Sequence, residues 1–216
     1  TDAESNRVLQ SLDSEDTPFV LAYHQPGNPD YSAVSVDNRA GMALATRYLL
    51  EAGHWRIGMV AGPALQSDRA RQRYAGYCDA MREAGLDSLP VIEMPAHTQA
   101  DFAAIEPLLQ GPQGLSALVC SNDLLAISLI AELRRNGWHV PQQLSVIGFD
   151  GIALGTQMHP TLCSVVQPIE ALACTVIDQL LAQIAGATPV SHCLPCHIRP
   201  GESTQPYEET LDDPLA

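Results

Sequence analysis

Basic residues are scarce in this 216-residue sequence: 11 Lys and Arg stand against 25 Asp and Glu, a formal net charge of −14. Gripping nucleic acid takes clustered cations that displace phosphate counterions. The residues present do not supply such a face, and the acidity reads first as solubility. Aromatics are few as well, at 5%, so Leu, Ala, Val and Ile must fill the core, which suits α/β packing better than a β-sandwich. No apolar run is long enough to cross a bilayer and no secretory signal pattern opens the chain; a cytoplasmic protein with no membrane partner is expected. G-x-G-x-x-G, G-x-x-x-x-G-K-[ST] and G-x-S-x-G are all missing. Asp, His and Ser show no spacing that singles out a catalytic set. Nothing in the sequence therefore supports an enzyme or requires a cofactor.

What is there is an apolar fraction of 46%, enough to bury a sizeable core in one large domain or two small ones. Cys78, Cys120, Cys163, Cys174, Cys193 and Cys196 lie mostly inside apolar runs, which reads as reduced, buried thiols. Cys193 to His197 spells C-x-x-C-H, the pattern of haem attachment and, with His192, half of a zinc site. No second Cys/His pair stands at metal-binding spacing, so neither haem nor metal is expected; a disulfide formed on oxidation is the better reading.

The most informative stretch runs from Ser116 to Gly151. Ala117 to Cys120 is an apolar run that stops at Ser121-Asn122-Asp123, where Asn122 is placed to cap a helix. Leu125, Leu129, Ile130 and Leu133 then recur at helical spacing, and Arg134 and Arg135 complement the dipole of the last turn. Gly137 stops the helix and Pro141 prevents its resumption. A second apolar run, Leu144 to Phe149, ends at Asp150. The result is a β-α-β unit with a polar residue at the carboxyl end of each strand, where ligands bind in open α/β sheets.

The alternation extends in both directions. Strands are expected at residues 19–23, 33–36, 57–60, 91–94, 162–166 and 192–198, and helices at 39–51, 69–84, 99–109 and 169–184. Val8, Leu9 and Leu12 suggest the end of a further helix. Residues 24–30 and 64–68 read as loops, and the acidic, proline-containing tail 205–216 reads as disordered.

Ser121-Asn122-Asp123 with its apolar helix, followed by G-x-x-V-P-x-x-x-S-V-I-G-F-D from Gly137 to Asp150, resembles the effector-binding domain of LacI/GalR-type bacterial transcription regulators. Periplasmic sugar-binding proteins share that fold. Further pieces follow in family order: PFVLAY, VSVDNRAGMALATRYLLEAGHWRIGMVAG, RQRYAGYCDAMREAGL, HPTLCSVVQPIEALACTVIDQLLAQIAG and LPCHIRPGEST, so the likeness spans about residues 18–204. The resemblance implies a periplasmic-binding-protein-like α/β fold: two Rossmann-like parallel-sheet subdomains joined by crossovers near residues 61–63, 165–167 and 190–194. The N-terminal subdomain would comprise residues 1–61 and 166–189, and the C-terminal one residues 62–165 and 190–204. The first strands and helices of the N-terminal subdomain, and the helix-turn-helix headpiece before them, are not in this sequence. The implied partners are a small-molecule effector (a sugar or sugar acid), a second copy in a homodimer, and DNA through the headpiece alone. The rivals are a periplasmic sugar-binding protein of the same fold and an α/β enzyme.

The resemblance also points to residues. Arg73 matches the arginine that reaches a ligand hydroxyl or carboxylate, and a guanidinium fork suits sugar diols and carboxylates in its own right. Asn122 and Asp150, at adjacent strand ends, can accept from hydroxyls, although Asn122 capping its helix and Asp150 serving as a turn residue are the plainer readings. Asp123 reads as structural. His97 falls near a position where relatives place an aromatic ring. Tyr23 and His24 replace an Asp-Arg pair common in the family. Gln167 sits at a crossover and touches either ligand or only the crossover.

Overall fold

Successive residues of a strand face opposite sides of its sheet, so a run that is apolar throughout belongs where both faces are covered. The computed structural model of the chain describes residues 6–24, 30–63, 67–110 and 114–208, and it builds the main core in this way. Six strands form one sheet in the order β4 (Ile92–Glu93), β3 (Ile57–Ala61), β5 (Ala117–Cys120), β6 (Ser145–Asp150), β7 (Cys163–Val166) and β9 (His197–Arg199). All are parallel to their neighbours except β9, which runs antiparallel to β7. Leu118, Cys120 and Val146 pack with α4 (Phe102–Leu109) and α5 (Asp123–Arg135) on one face. Val119, Ile147 and Phe149 pack with α2 (Asn38–Glu51) and α3 (Asp68–Glu83) on the other. Each fully buried leucine, such as Leu118 or Leu129, contributes about 2 kcal/mol. A side chain on Gly76 of α3 would collide with the carbonyl oxygen of Arg39, so α2 and α3 cross in near backbone contact.

A second, three-stranded parallel sheet has the order β1 (Leu21–Ala22), β2 (Ala33–Val36) and β8 (His192–Leu194). Helix α6 (Ile169–Ile184) packs on it, with Leu172 buried against Val34 and Val36. Helix α1 (Arg7–Ser14), capped by Asn6, precedes it.

The chain passes between the two sheets at Asp37, at Gln167-Pro168 and at Pro195-Cys196. The middle passage falls at Gln167-Pro168, against the expected 165–167. The first lies elsewhere than expected: β3 is hydrogen-bonded between β4 and β5, and Met42, Leu49 and Met59 share one core with α3. Residues 38–61 therefore belong with the larger sheet, and the boundary expected at 61 falls at Asp37. The single strand expected over 192–198 is two strands in different sheets, separated by Pro195, which has no N–H to give to a ladder. Residues 192–194 accordingly belong with the smaller sheet. Helix α4 starts three residues later than expected because Asp101 caps it, accepting from the Ala103 N–H at 3.0 Å. Among the described residues no helix is long and apolar enough to cross a membrane.

The expected tail is ordered where it begins. The Tyr207 N–H donates to Ala52 O at 2.8 Å, and the Tyr207 hydroxyl accepts from Arg56 at 2.6 Å. His54, 3% exposed, lies beneath, with Nε2 3.0 Å from Gln205 O and Nδ1 3.0 Å from Ser116 Oγ. Residues 209–216, like residues 25–29 and 64–66 within the two stretches expected to be loops, lie outside the described residues.

Burial holds the His54 imidazole below its ordinary value of 6.5, the Gln205 carbonyl only partly opposing it. The folded state thus favours the neutral ring. That stability is present above the unfolded value and is lost as pH falls below it. Urea unfolding at about pH 7.5 and about pH 5.5 should show falling stability, with His54→Gln reducing the slope and costing about 1 kcal/mol at the higher pH.

Candidate functional site

Parallel strands all deliver their carboxyl ends to one side of the sheet, and the helices that follow begin there. At that end lies a cavity of about 420 Å³. The first turn of α3 (Ser67, Asp68, Arg69) forms one wall, and the start of α5 (Ser121, Asn122, Leu124) another. His24, which follows β1, lines it from the side of the smaller sheet, its Nδ1 3.7 Å from Asp68 Oδ2.

Arg73 rises from α3 into this cavity and is 6% exposed. Its Nε donates to Asn38 Oδ1 at 2.8 Å. Nη1 donates to the Ser121 carbonyl and lies 3.3 Å from Asp150 Oδ1. The guanidinium carbon stands 3.7 Å from the centre of the Phe149 ring, a cation–π contact in a desolvated setting.

Asp150 ends β6 with φ of 114°, a left-handed conformation that costs a non-glycine residue energy and is met at binding sites. Its Oδ1 also accepts from Gln167 Nε2 at 2.6 Å. Burial pushes the Asp150 carboxyl up, Arg73 and Gln167 pulling it back. Burial pushes the Arg73 guanidinium down, Asp150 opposing it. Each charge thus opposes what burial does to the other, in a setting that favours neutral forms.

The other expected site residues divide. His97 and His24 line the cavity, as do Asn122, Arg73 and Asp150. Asn122 caps α5, accepting from the Leu125 N–H at 2.8 Å, and its Nδ2 donates to the His97 carbonyl at 2.8 Å. Capping and fixing the His97 loop are therefore its shown contacts. Tyr23 does not line the cavity: at φ 67° it turns to the small core around Val34 and Leu172. Gln167 does not line it either, and acts on Asp150 instead. Asp123 is fully buried, accepting from Ile152 N–H at 2.8 Å and Ser164 Oγ at 2.6 Å; burial raises its carboxyl to about 6. Ser67 and Asp68 were missed because residues 64–68 read only as a loop, although Ser67 with the helix behind it is an N-cap signal; Arg69 read only as the start of that helix.

All six cysteines are thiols. Cys120 and Cys163 are buried, but Cys174 and Cys193 are exposed, so the expectation of burial holds in full only for the two cysteines in strands of the larger sheet. The C-x-x-C-H run spans the passage between sheets. Among the described residues no group of three metal-ligating side chains comes together.

The sequence profile of the periplasmic binding protein-like domain matches residues 46–204. The chain belongs to that family. Its relatives are LacI-type regulators. The HTH-type transcriptional repressor PurR of Aliivibrio salmonicida is 30% identical over 188 residues, 85% of this chain and 56% of the repressor. The solved complex of transcriptional regulator CelR with cellobiose is 29% identical with a TM-score of 0.79, covering 92% of this chain and 62% of that one. A LacI family transcriptional regulator from Enterococcus faecium with bound ribose is 25% identical with a TM-score of 0.83, covering 96% and 78%. The chain spans about half the length of the curated relatives it matches.

In this periplasmic binding protein-like chain, removing the charge of Arg73 strands a carboxylate. Arg73→Met is expected to lower the unfolding free energy by about 2–3 kcal/mol, the low end because the Asp150 side chain is 31% exposed. Asp150→Asn should cost about 1 kcal/mol. Urea denaturation of both single variants and the double variant measures this. Strictly additive losses would mean that the pair is not coupled.

Proposed function

We propose that this chain is the effector-binding and dimerisation domain of a LacI/GalR-type transcription regulator, taking a sugar or sugar acid in the cavity between its two sheets. The observation that carries the reading is the pair of buried Arg73 and half-buried Asp150 facing a cavity of about 420 Å³. It presents fixed donors and an acceptor side by side, which is what vicinal hydroxyls or a carboxylate require. Support comes also from relatives named as complexes with cellobiose and ribose.

On this reading the chain acts by binding, not by turnover, in the cytoplasm and as a homodimer. DNA contact resides in a helix-turn-helix headpiece of the whole protein, since the charge of −14 disfavours phosphate contacts by this domain. The ligand alters operator affinity by favouring one angle between the two units, and only to the extent that it binds the two arrangements differently. The relatives, being repressors and regulators, favour this over a periplasmic carrier.

A thermal-melt screen against D-ribose, cellobiose, D-gluconate and further sugars tests the reading. A ligand at about 100 times its dissociation constant should add about 2.7 kcal/mol of stability, and Asp150→Ala should abolish the shift. No shift with any sugar or sugar acid, or a shift that survives Asp150→Ala, would remove the basis for the assignment.

A further inference from the structure

Asn38 is 1% exposed and opens α2. It does not cap that helix: Asp37 does, accepting from the Ala40 N–H at 2.8 Å. A buried amide costs free energy unless bonded, so its polarity serves something other than the helix. Its Nδ2 donates to the carbonyl of Val36, the last residue of β2, at 3.2 Å. Its Oδ1 accepts from Arg73 Nε. One amide therefore joins the smaller sheet, the first passage between sheets and the ligand-facing arginine.

The other two passages reach the same place. Gln167, in the second, donates to Asp150 through Nε2, and its backbone N–H approaches Asp150 O at 3.4 Å. The third is tied to the first, because the Asp37 N–H donates to Leu194 O at 3.2 Å. All three passages thus bear on the Arg73–Asp150 pair, two directly and one through Asp37.

We propose that Asn38 is a positioning residue that ties the Arg73–Asp150 pair to the first passage and, through Asp37, to the third, as Gln167 ties it to the second, so that occupancy of the cavity sets the angle between the units through these two buried amides. The ligand half of this statement rests on the function proposed above; the coupling half does not. If the pair links the passages, loosening one loosens the others, and the effect is reciprocal.

Hydrogen–deuterium exchange of the ligand-free chain reads this directly. Asn38→Leu, of similar volume but with no acceptor, should raise exchange about tenfold at residues 36–38 and also at 166–168 and 194–197. Asn38→Asp keeps the oxygen that Arg73 donates to, and should stay within about twofold of the parent at the two distant passages. Gln167→Leu should raise exchange at 36–38, which keeps the test decisive should Asn38→Leu fail to fold. Changes confined to residues 36–51, or Asn38→Asp matching Asn38→Leu, would overturn the proposal. In a second arm D-ribose is titrated by calorimetry, and Asn38→Leu should weaken it about tenfold while Asn38→Asp does not. Absence of ribose binding to the parent counts against ribose as the effector, while the exchange result still decides the coupling.

Discussion

A guanidinium buried to 6% exposure is the constraint from which most of the local architecture follows. Removing such a charge from water costs several kcal/mol after relaxation. The cost is offset only if nearly every side of the group finds a partner in good geometry. For Arg73 those partners come from different elements: Asn38 from α2, Ser121 from the end of β5, and Phe149 with Asp150 from the end of β6. Each must be held where the guanidinium needs it. Gly76, one helical turn along, permits α3 to approach α2 closely enough. The arginine is thus at once a candidate ligand group and the peg that registers two helices against two strands.

The residues around it show how neighbours in sequence take opposite parts. Asn122 and Asp123 are adjacent polar residues after one strand. Asn122, at the helix cap, faces the cavity. Asp123 is turned inward, where it fastens β7 and the turn after β6 through Ser164 and Ile152. Two donors directed at one carboxylate favour its charged form, and burial works against it; the net direction is upward, to about 6. The strand end therefore carries both a surface for recognition and a buried bracket.

The elements were legible because fully buried parallel strands write themselves as apolar runs closed by Gly, Asn or Asp. The strand run at 117–120, the helical spacing over 169–184 and the cap at Asn122 required nothing tertiary to be read. Sheet membership was not legible. β2 and β3 are both short, apolar and followed by a helix start, and nothing in either run says which partner strand it bonds. The first passage was consequently placed at 61–63 when hydrogen bonding puts it at Asp37. Of the candidate site, family motifs picked out Arg73, Asn122 and Asp150, and all three line the cavity. The site was illegible where a side chain's direction decides, as at Tyr23, whose left-handed backbone turns it into the small core.

That geometry also separates recognition from switching. Among the described residues, every group lining the cavity except His24 belongs to the larger sheet and its helices. Contacts made to Arg73, Asp150 and the two helix starts move together, so they strengthen binding equally at any angle between the units. A ligand shifts an equilibrium only through contacts that differ between its two ends. Here those are His24, across the cavity, and the bonds through which Asn38 and Gln167 hold the pair to the passages. A ligand can therefore be bound tightly by the larger unit and still switch nothing. On the proposed function, switching requires that it also reach His24 or alter the pull on Arg73 and Asp150, and selectivity for an effector over a mere binder is decided at those few bonds.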